Sequence, residues 1–541
     1  MRALNRLRKN KLELVIFLSA ILFSSWLMFS TFSYQDGSMQ IASKAWSDFA
    51  SHIPLIRSFT FGDNFPPQYP LFSGPPIRYH FLFYALVGLL EKGGLRIDFA
   101  LNILSILGFS FLILMIYLFS KEIFKSKAVG LLSILFFIFN GSLAFINFFS
   151  KNPLSENTIL DIIRSEKFMS FGPYDGGVIS AFWNLNIYTN QRHLALSYAL
   201  SLFIIYLFIK LEKGKKNNFK KSILIGIILG ISFLLNMAVF LMTLVVLCGM
   251  FIFFEKKRVY LLISMILGLI ISIPQFLLIQ SSESSFAVTF HPGYLVNNVD
   301  LLSFLNYWFQ NLGLHILFIP LAFILAKGNA RKILLYFLGL FILGNLVQFS
   351  PEIAANHKFF NYFMIIGVMF SSYFLVVLWN KKSYLKPFVL IFVFSLIFSG
   401  IIDIFPIFND HKISLSDYPV NKDVSWIMRN TSPDSIFLNT QYLYDNASLA
   451  GRKIFLGWPY FAWSQGYDTL TRDNLRKEML STNDLKFFCA NAIKYNIDYI
   501  EVNNSYQEFK VNSTFFKNNF VNIYENEIKT FNIYSTKSGC I

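Results

Sequence analysis

The sequence predicts a mainly α-helical, polytopic membrane protein with about 11 spanning helices, followed by a small α/β domain on the non-cytoplasmic side. Three observations carry that prediction. Of the 541 residues 55% are hydrophobic and only 14% charged, against about 25% charged in soluble domains. Lysines and arginines collect in short clusters between long apolar runs. Beyond residue 404 polar residues return, and 14 bases are balanced by 14 acids.

The first apolar run, 12–33, follows a basic start and has no small-residue cleavage site behind it, so it reads as a retained helix rather than a signal peptide. Residues 34–97 then form an outer loop. Within it, 79–95 (YHFLFYALVGLLEKGGL) is apolar only as far as Leu90, before Glu91 and Lys92. Spanning takes roughly 20 residues, so this stretch is expected to be interfacial or re-entrant. Helices at 98–119 and 128–149 flank the turn KEIFKSK, and 150–192 forms a second outer loop. After 193–211, the run 222–254 has basic clusters at both ends and reads as two short helices turning near Asn236. Helix 259–279 leads to a third outer loop, 280–312, and 313–327, 331–349, 357–379 and 385–404 alternate to the end of the bundle.

The clusters RALNRLRKNK, KEIFKSK, KLEKGKKNNFKK, EKKR, KGNARK and NKKSYLK hold 23 Lys and Arg against Glu122, Glu212 and Glu255. By the positive-inside rule these loops and the N-terminus are cytoplasmic, and the C-terminal domain is outside. The chain thus divides into a membrane module, 1–404, and an α/β domain, 405–541. The latter has strand-like runs SIFLN, KIFLG and IDYIEV, a hairpin pattern in VNIYENEIKTFNIYS, and helical patterns in LRKEML and LKFFCANAIKY.

The net charge of +16 does not indicate a nucleic-acid partner. Such binding needs a contiguous basic face, which scattered short loops do not offer. Cys248 sits in an apolar run, Cys489 and Cys540 could be bridged, and no pair has metal or redox spacing. There is no phosphate-cradling glycine loop or zinc motif, so a nucleotide sugar is not implied.

The first outer loop carries the most chemistry. Asp48 and His52 are four residues apart in ASKAWSDFASHIPLIRSF, hence on one helix face. A carboxylate beside an imidazole could act as base and partner or bind a divalent metal; a packing pair on an interfacial helix would have the same spacing. Asp36, Arg78 and His80 lie in the same loop. In NQRHLALSYAL, Arg192 and His193 sit where the second loop enters a helix, and His357 and Lys358 open the helix NHKFFNYFMII. Cations at those depths suit a lipid phosphate, although snorkelling side chains look the same. In AGRKIFLGWPYFAWSQGYD, Arg452, Trp458 and Trp463 suit sugar binding or docking on the membrane module, with core packing as the alternative.

One helix, a long outer loop with an acid on an amphipathic helix, the Pro-Pro-rich turn GDNFPPQYPLFSGPP and a short aromatic helix together resemble the GT-C class of integral-membrane glycosyltransferases. Protein O-mannosyltransferases and aminoarabinose transferases belong to that class. FSKEIFKSKAVGLLSILFFIFNGS resembles its next helix pair around a basic turn, and ILIGIILGISFLLNMAVFLMTLVVL its short helical hairpin. The likeness covers most of 1–404, in topology more than in strict motifs. It implies a catalytic acid in the first outer loop, which maps to Asp48 or Asp36. The Asp-Glu pair of some members is absent, since Asp36 precedes Gly37 and Asp48 precedes Phe49. It also implies transfer of a sugar from a polyprenyl-phosphate-type carrier to a glycan, lipid or protein acceptor at the membrane. Any cofactor is left open, a divalent metal included. A lipid or solute transporter and a surface-polysaccharide polymerase or ligase are the alternative readings. Against transport, the helix interiors are nearly free of charge, whereas transporters place charges at mid-membrane.

Overall fold

The computed structural model describes residues 11–211, 218–253, 257–279, 288–505 and 508–540. The basic residues at 2–10, 212–217 and 255–256, and 280–287 of the third loop, lie outside the described residues. Eight described helices are long and apolar enough to cross a membrane, or nine if Leu301–Leu312 and His315–Leu325, bent by 90°, count as one span. Lys127–Ile138 and Met237–Phe253 are shorter apolar helices. Leu18, Leu22, Ile273 and Leu277 on these helices are more than half exposed, as a surface turned to acyl chains requires. The chain is a multi-pass integral membrane protein.

Each run expected to span contains a helix, though not always at spanning length. The run 222–254 divides as expected into Asn218–Leu235 and Met237–Phe253, with Asn236 between them accepting a hydrogen bond from Val239 N at 3.1 Å. The run 128–149 differs from expectation: it is helical over Lys127–Ile138, breaks, and resumes as Ala144–Lys151. Hydrogen bonds to the last helix of the bundle, Lys386–Phe408, hold the break. Asn140 Nδ2 donates to Asp403 Oδ2 at 2.8 Å, and Ser399 Oγ to the Ser142 carbonyl at 2.5 Å. Asn140-Gly141-Ser142 interrupts the apolar run at this point, and these distant partners satisfy the polar groups it exposes.

The segment 79–95 forms an 11-residue helix, Leu82–Lys92, too short to span. It packs on the 15-residue surface helix Trp46–Thr60. Contact is close because Gly88 has no side chain: a Cβ there would lie 2.7 Å from the Ile56 carbonyl oxygen.

Two sheets organise the region at the loop end of the bundle. Strands Phe32–Gln35 and Ser38–Ala42 form a hairpin, and Lys412–Ser416 adds to it antiparallel, tying the first loop to the chain just after the last spanning helix. The second sheet has five strands in the order Val521–Glu525, Phe531–Ser535, Tyr499–Asn503, Ile436–Leu438 and Lys453–Ile454. Its first two strands are the hairpin seen in the sequence, and its last three run parallel. Cys489 and Cys540 are joined in a disulfide, fastening the C-terminus to the helix Leu485–Lys494.

Candidate active site

A cavity of about 1600 Å³ opens where the first loop, the second loop, the spanning helices and residues 458–466 meet. Its two ends differ in chemistry. One is a polar chamber that includes Lys44, Asp48, Arg78, His80, Glu352 and Lys358. The other is an apolar groove along Met237–Phe253, formed by Met237, Ala238, Leu241, Val245 and Cys248 with Leu343 and Phe359.

Asp48 sits in the first turn of Trp46–Thr60, and the turn before it is clamped. Asp410 accepts hydrogen bonds from Ser43 Oγ at 2.6 Å and Lys44 N at 2.9 Å, and pairs with Lys44 Nζ at 3.0 Å. Tyr444 packs against Trp46 at 4.2 Å between ring centres, tilted by 47°, and donates to its carbonyl at 2.5 Å. The carboxylate therefore projects from a helix end held by two segments more than 360 residues away. It faces the cavity but is enclosed by protein. Burial raises its pKa to about 6, while the opposing Lys358 charge and a hydrogen bond from the Asn190 side chain act downward. No ion pair within 4 Å fixes Asp48 or Lys358 among the described residues.

His52 lines the cavity one turn on, as expected, with its ring stacked on Tyr84 at 4.6 Å and Nδ1 unpartnered. Burial and the nearby Arg192 push its pKa down to about 3, so it is a neutral imidazole. His80 also lines the cavity, its Nε2 2.9 Å from Nε2 of His193, which in turn bonds the Tyr84 hydroxyl at 2.8 Å. His193 itself is fully buried behind the wall. His357 lines the chamber, stacked on Phe182 and bonded to Asn361. Arg78 lines it too, with its guanidinium over the Tyr467 ring and bonded to the Gly466 carbonyl.

Besides His193, four expected site residues are placed off the cavity. Asp36 is an exposed turn residue of the Phe32–Ala42 hairpin at φ 48°, where Asp-Gly supplies the left-handed backbone the turn needs. Arg192 does not line the cavity. Its guanidinium is consumed by Thr189 O at 2.6 Å, Thr31 Oγ1 at 2.7 Å, Asn102 Oδ1 at 3.1 Å and Met28 O at 3.3 Å. It satisfies the end of the first spanning helix, whose terminal carbonyls attract a cation. Arg452 is buried and docks rather than lines, donating to Phe61 O at 2.8 Å and to the carbonyls of Met428 and Thr431 at 3.0 Å. Trp458 does line the cavity, whereas Trp463 is 40% exposed and lies off it.

Sequence reasoning missed Lys44, Gln465 and the apolar groove. Asn190 opened a stretch that was singled out, but its bond to Asp48 was not readable from spacing. Among the described residues no group of three or more His, Cys, Asp or Glu is placed to hold a metal ion.

No family model matches the sequence, and no curated protein matches it significantly. Solved structures do match. The archaeal oligosaccharyltransferase AglB from Archaeoglobus fulgidus, in complex with an inhibitory peptide and a dolichol-phosphate, aligns over 98% of this chain and 74% of its own at 12% identity, with a TM-score of 0.50. ArnT from Cupriavidus metallidurans in the apo state aligns over 97% of both chains at 10% identity and TM-score 0.50. The arabinofuranosyltransferase AftD from Mycobacteria aligns over 96% of this chain and 40% of its own at 11% identity and TM-score 0.52. All three are GT-C membrane glycosyltransferases, and at these identities the likeness is one of fold. The chain has the GT-C fold that its loops and helix order resemble.

Proposed function

We propose that this protein is a membrane glycosyltransferase that moves a sugar from a polyprenyl-phosphate-type lipid to an acceptor hydroxyl on the non-cytoplasmic face. The observation that carries the reading is the cavity itself: a carboxylate and a cation face each other across a polar chamber that continues into an apolar groove. That division matches a donor with an isoprenoid tail, an anionic phosphate and a sugar. The shared fold supports it, and AglB was solved with a dolichol-phosphate.

In the proposed step Asp48 takes the proton of the acceptor hydroxyl. The acceptor oxygen attacks the anomeric carbon, and the bond from that carbon to the phosphate oxygen breaks. The phosphate leaves with the electron pair, and Lys358 balances its charge. Burial near pKa 6 keeps Asp48 ionised at neutral pH yet basic enough to accept the proton. The orientation rests on the basic loops and on the Cys489–Cys540 disulfide, which belongs in an oxidising compartment.

Purified protein supplied with a polyprenyl-phosphate sugar tests the reading. Asp48→Asn keeps the shape and removes the base, so turnover should fall at least about a hundredfold with the fold intact. Undiminished turnover of Asp48→Asn would remove the base assignment. A reporter fused after Ile541 should be non-cytoplasmic; a cytoplasmic signal would overturn the orientation.

A further inference from the structure

We propose that the acceptor is a carbohydrate, and that residues 458–466, with Tyr174 and Glu352, form the subsite that recognises it. The proposal rests on the glycosyltransferase reading and deepens it.

The donor lipid accounts for the groove and for Lys358, but not for the wall built by residues 458–466. That segment belongs to the C-terminal sheet region, yet Trp458, Tyr460, Phe461, Ser464, Gln465 and Gly466 all line the cavity. It is held firmly there. Gly457 N donates to the Leu71 carbonyl at 2.8 Å, and Tyr467 OH donates to Pro76 O and accepts from Arg78 N, both at 2.9 Å. Across the opening, Tyr460 OH donates to Glu352 Oε2 at 3.2 Å.

Two features of this wall point to a sugar. First, aromatic faces are left open: Trp458 and Tyr460 are 38% exposed and Tyr174, across the opening on the second loop, 57%. Secondly, the lining holds buried hydrogen-bonding groups without partners of both kinds, amide oxygens and the Tyr69 hydroxyl. Gln465 lies against the Tyr69 hydroxyl, but its Oε1 is buried and receives no hydrogen bond, and the same holds for Gln191 Oε1 on the chamber wall. Buried polar atoms in folded proteins are nearly always paired, so orphans that line an open cavity are free to bond water or a ligand there. A pyranose offers an apolar C–H face to stack on rings and a rim of hydroxyls that donate to amide and carboxylate oxygens. Each sugar hydroxyl both donates and accepts, so one rim can meet the glutamine oxygens and the Tyr69 hydroxyl together, while the open ring faces favour a pyranose over a peptide backbone.

The subsite also adjoins the proposed base. Tyr174 is near enough to both Asp48 and Glu352 to feel the charge of each. Tyr69, beside Gln465, also interacts with Ser51, one turn along the helix from Asp48. A sugar stacked on Trp458 would thus lie in the same cavity as Asp48.

Calorimetric titration of the purified full-length protein with reducing-end-blocked disaccharides of mannose, galactose, glucose and N-acetylglucosamine tests this without turnover. At least one should bind saturably. Trp458→Ala and Gln465→Leu should each weaken that binding about tenfold, the effect of one lost stacking face or hydrogen bond, while Trp458→Phe retains it. Donor-lipid affinity should not change in any of the three. If no disaccharide binds, or if Trp458→Ala and Trp458→Phe behave alike, the subsite is wrong. Transfer from a polyprenyl-phosphate sugar to a hydroxyl-bearing peptide without disaccharide binding would overturn the acceptor assignment and leave the transfer reading standing. Disaccharide binding with no transfer from any such donor would do the reverse.

Discussion

The helix Trp46–Thr60 carries a buried charge at each end, and the two are treated in opposite ways. At its last turn Arg57 is 1% exposed, with Nη2 at 2.7 Å from Asp417 and 3.2 Å from Glu91. Phe61 and Tyr418 rings cover the guanidinium at 4.7 and 5.5 Å. This knot joins three segments: the surface helix, the short helix Leu82–Lys92 and the chain after the last span. At the first turn Asp48 has a neutral amide partner, Asn190, and a cation, Lys358, that stands off from it. One charge is closed into the architecture, while the other looks onto open volume and can bond something that arrives. One is a cation and the other a carboxylate, but what separates their roles is whether the partner set is complete.

The largest effect should come from opening the closed end. Arg57→Met removes the cation and leaves Asp417 and Glu91 buried without it, which costs about 3–5 kcal/mol when one partner of a buried pair is lost. Thermal or chemical unfolding of the detergent-purified protein should show a markedly lower midpoint, with donor-lipid affinity of the folded fraction unchanged. Native-like stability of Arg57→Met would mean that the knot does not hold the loop and the C-terminal segments together.

The open end should show itself in pH dependence instead. Asp48 works as a base only when ionised, and burial sets its pKa to about 6. Transfer should therefore be flat above that value and fall about tenfold for each pH unit below it. Lys358 lowers the Asp48 pKa, so Lys358→Gln should move this acid limb to higher pH as well as weaken donor binding. A limb that stays in place would separate the two residues and undo their pairing.

The two ends also differ in how far the sequence reveals them. Asp48 and His52 are one turn apart on an amphipathic helix, so the carboxylate could be singled out from local spacing alone. The apolar runs were equally legible, because lipid imposes a pattern that leaves its mark residue by residue, although eight or nine described helices reach spanning length against the 11 or so crossings expected. The partners were not. Asp410 clamps Lys44, and Tyr444 braces Trp46, across more than 360 residues of chain. The break after Ile138 depends on Asp403 and Ser399 from the far end of the bundle. Arg192 stands at a helix entry where snorkelling, lipid binding and internal capping look the same in sequence. Only the fold shows that Thr31, Asn102 and the Met28 carbonyl already use its donors.

A third buried cluster sharpens the comparison, because it has two acids and a distant cation. Glu501, on the strand Tyr499–Asn503, and Asp445 are both 0% exposed. Asp445 Oδ1 caps the short helix Asn446–Leu449 through Ala447 N at 2.9 Å and Ser448 N at 3.2 Å. Its Oδ2 and both Glu501 oxygens take no well-formed bond from the rest of the protein. Arg476 faces Asp445, and Asp423 adds a further negative charge near Glu501. Burial first, then the neighbouring Asp445, pushes the Glu501 pKa well above its usual 4.5, so the pair is held by a shared proton. The folded state binds that proton more tightly than the unfolded chain does. Its stabilising effect is full below the unfolded value of 4.5 and declines as pH rises through the range between the two values. Gln at this position has the same shape, cannot ionise, and can donate its amide to Asp445 Oδ2. Glu501→Gln should therefore raise the unfolding midpoint at pH 8, by roughly 2–4 °C for each kcal/mol gained, and the difference should close as pH approaches 4. A midpoint for Glu501→Gln that is lower than native at pH 8, or a gap that does not change with pH, would show that Glu501 is ionised in the folded protein. It would then belong with Arg57 as a charge that needs its partners.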